Sequence, residues 1–210
     1  MHSEAIKSEQ KKVFAKLSKF PQFYLCGGTG LALQIGHRVS IDFDLFSEKE
    51  IPSGLLSKIK RVFKDFNEIK VIVNNQEQLS VFINGIKIDF VKFKFPPALD
   101  LVKYEGVKIL QPMEIAVMKA YTLNFRGTFR DYIDLYFLLK EEWTTLEKIK
   151  ELSDIKYGDE FNFRLFLEQL IYLDDIETEE IEFLNSKINK SEMKEFFKAR
   201  VKNLNLKGSL

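Results

Sequence analysis

Two carboxylates and a glycine-rich run lie close together in the first quarter of the chain. The residues are Cys26-Gly27-Gly28-Thr29-Gly30, followed by Ile41-Asp42-Phe43-Asp44-Leu45-Phe46. The alternation in the second segment predicts a strand with Asp42 and Asp44 on one face, about 7 Å apart, and Ile41, Phe43 and Leu45 on the other. Neighbouring carboxylates repel each other, so the pair favours a divalent cation such as Mg²⁺, which binds carboxylates and substrate phosphates.

The glycine-rich run is predicted to join a strand to a helix. Glycines permit close approach of the backbone, and the N–H groups at a helix N-terminus bind anions, so Gly27, Gly28 and Thr29 are candidate phosphate contacts. The run is not a P-loop, because no Lys-Ser/Thr pair follows it at the required spacing. Arg38, after the short helix, is either a phosphate ligand or an ordinary loop arginine.

Asp89 is a third acid in a strand-like segment, Ile86 to Phe93. Alternation places it on one face with Lys87, Val91 and Phe93, opposite Ile86, Ile88 and Phe90. A salt bridge to a neighbouring lysine is one interpretation. Taken with Asp42 and Asp44, Asp89 instead predicts a phosphoryl-transfer site in which three carboxylates hold two metal ions.

Lys119 and two aspartates belong to predicted helices further along the chain. Lys119 lies on an apolar row, where it either extends its ammonium to solvent or has a functional partner. Asp131 and Asp134 are one helical turn apart and lead into an apolar stripe. Asp131 could cap its helix or pair with Arg130, so structural and functional roles both remain open.

Composition indicates an ordinary soluble globular protein. The chain has 210 residues, a net charge of +1 and 45 % hydrophobic residues. Its one cysteine excludes an internal disulfide, and no apolar run approaches the roughly 20 residues of a membrane helix. The charged N-terminus does not look like a signal peptide, so we expect a cytoplasmic protein without membrane contact.

The periodicity predicts an α+β half, residues 1–110, and a helical half, residues 111–210. In the first half we expect helices at 4–18, 31–35 and from Pro52 to about 66, and strands at 23–26, around Asp42, and at 69–73, 79–83, 86–93 and 102–110. In the second half we expect helices at 112–124, 129–140, 145–152, 160–173, 178–187 and 191–204. Asn84-Gly85 is a signal for a two-residue hairpin turn.

Two separated motifs resemble the AbiEii/AbiGii toxin family of polymerase-beta-like nucleotidyltransferases. The first runs from Phe23 to Leu33 and continues as Gly36-His37-Arg38-Val39-Ser40-Ile41-Asp42-Phe43-Asp44-Leu45-Phe46. The second comprises Glu114 to Ala120, then Arg126, then Arg130-Asp131-Tyr132-Ile133-Asp134-Leu135. The likeness covers residues 20–140 approximately. It leaves the last 70 residues as an added helical bundle.

The resemblance implies a mixed β-sheet flanked by helices, with a nucleotidyltransferase domain at 1–110 and a helical bundle domain at 111–210. It implies that Gly28 and Thr29 contact phosphate and that Asp42, Asp44 and Asp89 hold metal. Lys119 and Asp131 match later family motifs, which implies catalytic roles, with Lys119 also contacting the nucleotide. The one departure is Gly30, where the family more often has a small residue such as alanine.

The same resemblance implies the reaction and its setting. We expect a Mg²⁺-dependent enzyme, with two ions, that moves a nucleotide from a nucleoside triphosphate to an RNA (tRNA) or protein acceptor. Toxin–antitoxin or abortive-infection systems are the implied setting, with an antitoxin as a possible partner. The alternative is a non-catalytic nucleotide- or protein-binding module with a degenerate transferase site.

Overall fold

The computed structural model describes residues 1–204. Two compact units divide the chain, the first Met1–Gln111 and the second beginning at Pro112. In residues 1–204, no helix is both long enough and apolar enough to cross a membrane.

The first unit combines a sheet with helices. A turn of 3-10 helix at Ser3–Ala5 precedes its other regular elements, which are α1 (Ser8–Leu17), β1 (Tyr24–Cys26), α2 (Gly27–Ile35), β2 (Phe43–Ser47), α3 (Leu55–Val62), β3 (Ile69–Asn74), β4 (Gln78–Ile83), β5 (Ile86–Lys92), β6 (Val102–Tyr104) and β7 (Val107–Ile109).

The sheet is mixed and has seven strands in the order β3-β4-β5-β2-β1-β7-β6. β2 pairs with β5 and β1 with β7 in parallel, and the other neighbouring pairs are antiparallel. This confirms the predicted α+β class with a mixed sheet flanked by helices. The central position of β2 places the residues after the glycine-rich run in the middle of the sheet.

One face of the sheet packs into the hydrophobic core of the first unit. Phe43 and Leu45 of β2 are buried there, as alternation predicts, and the Phe14 ring of α1 lies 6.0 Å from the Phe43 ring. Ile41 was expected on the same face but is 52 % exposed, because β2 begins only at Phe43. Asp42 therefore precedes the strand, and its carbonyl accepts a hydrogen bond from the Thr29 side chain.

Helix α2 begins four residues earlier than the pattern predicts. It starts at Gly27, directly after β1, rather than at Leu31. Glycine lowers helix propensity, which is why the sequence favoured a loop. The later turns of α2 offset this cost, since Leu31, Ala32 and Leu33 are fully buried.

Several other helix boundaries shift for local reasons. The predicted helix 4–18 is interrupted by extended backbone at Ile6, and α1 begins at Ser8. The helix after Pro52 is shorter than predicted, because α3 ends at Val62. The predicted hairpin at Asn84-Gly85 is present, with positive φ values of 47° and 80° that suit a two-residue turn.

Helices supply the regular elements of the second unit. They are α4 (Pro112–Leu123), α5 (Phe129–Lys140), α6 (Leu146–Tyr157), a 3-10 turn at Gly158–Glu160, α7 (Phe163–Ile171) and α8 (Lys190–Lys202). α6 extends past the predicted end at 152 and stops at Gly158, which has a positive φ of 54°. α7 begins later than predicted because the Asn162 side chain caps it, accepting from the Leu165 N–H at 2.9 Å.

The helix predicted at 178–187 is wrong, because that segment has no helix. Its side chains make tertiary contacts instead: Glu179 pairs with Arg130 at 2.6 Å, and the Phe183 ring packs against Phe137. Closely spaced glutamates also repel one another on a helix. The expected helix 191–204 is present as α8, which ends at Lys202.

Candidate active site

The glycine run lets charged groups approach the start of α2. Gly27 has a φ of +63°, a conformation that L side chains rarely adopt. A Cβ at position 27 would lie 2.1 Å from Asp44 Oδ2, and one at position 28 would lie 2.4 Å from Arg38 Nη2. Both glycines therefore make room for a carboxylate and a guanidinium beside the helix N-terminus.

The Thr29 side chain fixes local structure. Thr29 is 1 % exposed, its hydroxyl hydrogen-bonds Ser40 Oγ at 2.7 Å, and it donates to the Asp42 carbonyl. These bonds tie the first turn of α2 to the backbone that leads into β2. Its predicted contact with phosphate stays a prediction, and the buried hydroxyl is already engaged within the protein.

Arg38 is a buried residue rather than an exposed loop arginine. Its Nη1 donates to the Val39 carbonyl at 3.1 Å, and its Nη2 is close to Gly28. Burying a guanidinium is costly unless it has partners. Arg38 is thus a buried cation close to the start of α2, and its predicted role as a phosphate ligand stays a prediction.

Strand register brings Asp44 and Asp89 side by side. Asp44 of β2 pairs with Cys26 of β1 on one side and with Asp89 of β5 on the other. Register partners on neighbouring strands direct their side chains to the same face. The sequence therefore predicted the shared face correctly, and this face is opposite to the hydrophobic core.

Asp89 is held by two donors. It is 8 % exposed; Ser80 Oγ donates to its Oδ1, and Lys87 Nζ lies 2.6 Å from its Oδ2. Gln78 Nε2 in turn donates to Ser80 Oγ at 2.8 Å. The salt bridge to a neighbouring lysine, one of the two sequence interpretations, is thus present.

Lys87 interacts with all three acids. Its hydrogen bond to Asp89 raises the pKa of the Lys87 ammonium above its ordinary value. Burial opposes this rise in pKa, and the charges of Asp89, Asp42 and Asp44 reinforce it. The ammonium is therefore a fixed positive charge beside the carboxylates.

The acids fit a divalent ion only in part. Within residues 1–204, no three Asp, Glu, His or Cys side chains are grouped so as to hold a metal ion. Asp42 and Asp44 supply hard oxygen donors of the kind Mg²⁺ binds, and one or two carboxylates plus substrate phosphates suffice for that ion. Asp89 accepts one hydrogen bond on each oxygen, which leaves a lone pair on both, and its predicted place among the metal ligands stays a prediction.

In the second unit, Lys119 joins two helices through two carboxylates. Its Nζ on α4 lies 2.7 Å from Asp131 Oδ1 and 2.8 Å from Asp134 Oδ2, both on α5. The Lys119 side chain is only 12 % exposed, so it does not extend to solvent. The i, i+3 spacing of the aspartates had signalled a shared face, but sequence reasoning assigned a catalytic role to Asp131 alone.

Asp131 is also a helix cap. Its Oδ2 accepts from the Thr128 N–H at 2.9 Å and from the Thr128 hydroxyl at 2.8 Å. Burial alone would raise the pKa of Asp131, but Lys119 and the Thr128 donors outweigh it and hold the pKa below its usual value. The capping interpretation is therefore correct, whereas the proposed Arg130 pair is replaced by Lys119.

A second buried ion pair escaped sequence reasoning. Lys156 Nζ of α6 lies 2.6 Å from Glu114 Oε1 of α4, and both side chains are almost fully buried. Glu114 opens the second sequence motif, but nothing in its local pattern indicates a partner 42 residues away. This pair joins two helices of the second unit.

Comparison with known proteins gives one family match over nearly the whole chain. The model of the family described as "Nucleotidyl transferase AbiEii toxin, Type IV TA system" matches residues 12–208. An uncharacterized protein of Aquifex aeolicus (strain VF5) is 31 % identical over 202 residues, covering 94 % of this chain and 96 % of that protein.

Solved structures show the same fold at low sequence identity. A proposed nucleotidyltransferase from H. pylori superposes with a TM-score of 0.63 at 21 % identity, covering 96 % of this chain and 95 % of that one. MenT4, a nucleotidyltransferase toxin from Mycobacterium tuberculosis H37Rv, gives a TM-score of 0.62 at 16 % identity, covering 94 % and 83 %. The arrangement of sheet and helices is therefore that of nucleotidyltransferases.

Proposed function

Because the chain belongs to the AbiEii family of nucleotidyl transferase toxins, we propose that it transfers a nucleotide from a nucleoside triphosphate to an RNA or protein hydroxyl, with Mg²⁺ as cofactor. The observation that carries the proposal is the Asp44 carboxylate beside Gly27, at the N-terminus of α2. An anion-binding helix end and a carboxylate meet there, next to a second carboxylate, Asp42.

The triphosphate is proposed to bind at the start of α2. Backbone N–H groups and the helix dipole favour negative charge at this point, and Gly27 and Gly28 add no side chain of their own there. Arg38 adds a buried positive charge close to Gly28. Asp42 and Asp44 would repel a triphosphate on their own, so the site needs a divalent cation between the two sets of negative charge.

In the proposed reaction, an acceptor hydroxyl oxygen forms a bond to the α-phosphorus, and the bond to pyrophosphate breaks. The hydroxyl proton leaves with the help of a nearby carboxylate or water. Mg²⁺, when bound, neutralises the charge that develops on the phosphate oxygens. Asp42 and Asp44 hold that ion, and the backbone at Gly28 and Thr29 positions the phosphates.

Lys119 and Asp131 enter the proposal through the family motif. Their salt bridge, together with Asp134, fixes the Lys119 ammonium in one position. We therefore propose that both residues are needed for transfer, with Asp131 holding the Lys119 ammonium in place. An antitoxin that suppresses this activity is the partner we expect.

The test is incubation of the purified chain with each α-labelled triphosphate, Mg²⁺ and total bacterial RNA or protein extract. Wild type should move label into one acceptor class, and EDTA should stop the reaction. Asp44→Asn should reduce transfer at least a hundredfold (about 2.7 kcal/mol in barrier). Asp100→Asn, at an exposed position of the same unit, is the matched control and should retain full activity.

The triphosphate whose label is transferred identifies the nucleotide substrate, and the molecule that becomes labelled identifies the acceptor. Equal activity in the Asp44→Asn variant would overturn the assignment of the acids. Triphosphate binding without transfer to any acceptor, seen as a rise in melting temperature, would instead support the non-catalytic nucleotide-binding alternative.

A further inference from the structure

The connection between α2 and β2, residues 36–42, carries two of the proposed site residues. Arg38 lies two residues before Ser40, and Asp42 lies two residues after it. The connection lies between the last residue of α2 and the first residue of β2, so its backbone N–H and C=O groups need partners outside those elements. The hydrogen bonds that hold Ser40 therefore bear on the position of both charged residues.

Helix α1 holds this connection through one glutamine. Gln10 Nε2 donates to the Ser40 carbonyl and to the Ile41 carbonyl, at 2.7 Å each. Its Oε1 accepts from the Lys7 N–H at 2.9 Å, at the start of α1. The amide has a single orientation, because a reversed amide would bring its oxygen against two carbonyl oxygens.

Gln10 is a polar residue on the buried face of an amphipathic helix. The buried residues of α1 are Gln10, Val13, Phe14 and Leu17, and Gln10 is 2 % exposed. Burying a side-chain amide costs free energy unless it is hydrogen-bonded. The two carbonyls of the connection are therefore what suits glutamine, rather than an apolar residue, to this position.

Side chains from two helices hold three consecutive carbonyls of the connection. Gln10 of α1 binds the carbonyls of residues 40 and 41, and Thr29 of α2 binds that of Asp42. Ser40 is held at two more points, because its hydroxyl bonds Thr29 Oγ1 at 2.7 Å and its N–H donates to the Ala5 carbonyl at 2.9 Å. The backbone between Arg38 and Asp42 is thus fixed from both α1 and α2.

We propose that Gln10 is a positioning residue for nucleotide transfer, which fixes the backbone of residues 36–42 so that Arg38 and Asp42 are held beside the start of α2. The inference rests on the proposed function for the roles of Arg38 and Asp42, and Gln10 itself contacts neither substrate nor metal. Gln10 precedes residue 12, where the family match begins. Its role therefore comes from the contacts of this chain and not from the family comparison.

The first experiment measures amide hydrogen exchange on the full chain, without nucleotide or metal, for wild type and Gln10→Glu. Glutamate keeps the oxygen that accepts from Lys7, but it replaces the donor with a carboxylate that the two carbonyls repel. Exchange of the Ser40 N–H should become about tenfold faster, while that of Leu17 in α1 stays within about twofold. Equal acceleration at both amides, or none at Ser40, would overturn the inference.

The second experiment is the transfer assay with Mg²⁺ titrated. In Gln10→Glu the half-saturating Mg²⁺ concentration should rise about fivefold or more, because Asp42, a proposed ligand, is no longer held in place. A loss of folded protein alone would lower the maximal rate and leave this concentration unchanged. An active wild type whose Gln10→Glu variant keeps the wild-type Mg²⁺ requirement would overturn the inference.

Gln34→Glu is the matched control. Gln34 Nε2 also donates to two carbonyls, those of Gly30 and Leu110, at 2.8 Å each, and neither lies in residues 36–42. This variant should lower the melting temperature but keep the wild-type Mg²⁺ requirement and the wild-type exchange rate of the Ser40 N–H. The same changes in both variants would show a general effect of a buried glutamate and overturn the inference.

Should Gln10→Glu fail to fold, Gln10→Met decides with the same two measurements, because methionine removes the donor without adding a charge. Hydrogen exchange is measured without turnover. A wild type that shows the expected exchange pattern but transfers nothing would therefore refute only the proposed function.

Discussion

The Asp44 carboxylate lies against Gly27, so close that a Cβ on residue 27 would be 2.1 Å from Oδ2. The strand acid and the glycine turn therefore depend on each other: the acid reaches the helix N-terminus only because the turn has no side chain. The positive φ of Gly27 adds a second, independent reason for glycine at this position.

Gly27→Ala is expected to inactivate the enzyme and destabilise the first unit. The added methyl group collides with Asp44, and the positive φ alone costs roughly 1–3 kcal/mol for a non-glycine residue. Transfer activity and urea unfolding, measured on the same preparation, check both effects.

Gly30→Ala is the control for that variant, three residues along the same helix. A Cβ there would meet its nearest neighbours, Ile109 Cγ2 and the Leu25 carbonyl, at 3.4 Å, which is ordinary contact. Replacing a helical glycine by alanine should then be neutral or stabilising by up to about 1 kcal/mol. Equal damage from both alanines would show that the Asp44 contact has no special role.

Thr29→Val should misplace Asp42 without a large change in volume. It removes the hydroxyl that bonds Ser40 and the Asp42 carbonyl in a site that is 1 % exposed. Leaving buried polar groups unsatisfied costs about 1–3 kcal/mol, and we expect a lower melting temperature together with weaker Mn²⁺ binding. Thr29→Ser keeps the hydroxyl and should retain metal affinity; a serine variant as weak as valine would contradict this role.

Lys119→Met should strongly destabilise the second unit, whatever its effect on catalysis. The substitution removes the shared cation of Asp131 and Asp134, and the Asp134 side chain is 0 % exposed. Breaking a buried pair from one side costs about 3–5 kcal/mol, which denaturant unfolding can measure. Lys148→Met, at an exposed position on α6, should cost almost nothing, and a similar loss there would indicate a nonspecific effect of methionine.

Acid should remove the stabilisation that Asp131 provides. Its pKa is lowered in the folded protein from the ordinary value of 3.8, so its contribution is complete above that value. The contribution is lost as the pH falls through the lower, folded-state pKa. Between roughly pH 5 and pH 2, Asp131→Asn should therefore lose stability less steeply than wild type.

The control for Asp131→Asn is a substitution of a carboxylate that is not part of the salt bridge with Lys119. Asp159→Asn, at an exposed position, should follow the wild-type curve of unfolding free energy against pH. If Asp131→Asn also followed that curve, the Lys119 and Thr128 contacts would not be what lowers the pKa of Asp131.

Sequence periodicity predicted most of the sheet and the face that carries Asp44 and Asp89. It did so because the core residues Phe43, Leu45, Ile88 and Phe90 alternate with the two acids and leave one choice of face. It did not predict that α2 starts at Gly27, since burial of the following turns outweighs glycine's low propensity.

The partners of charged groups were harder to predict than their faces. The Lys87–Asp89 pair is local and was considered, but the tie from Lys119 to both Asp131 and Asp134 depends on how α4 packs on α5. The missing helix at 178–187 has the same cause: Arg130 and Phe137 hold that segment through contacts distant in the chain. The sequence pattern predicts which face of a helix or strand a side chain occupies. Which charged partner it meets there depends on tertiary packing.

The parallel pairing of β2 with β5 has a consequence for biosynthesis. Asp44 and Asp89 are 45 positions apart in the chain, and α3, β3 and β4 are made between them. The acidic patch therefore assembles only after the ribosome has released the whole stretch through Lys92. A nascent or truncated chain that ends before β5 carries the glycine turn, Asp42 and Asp44 but lacks Lys87 and Asp89.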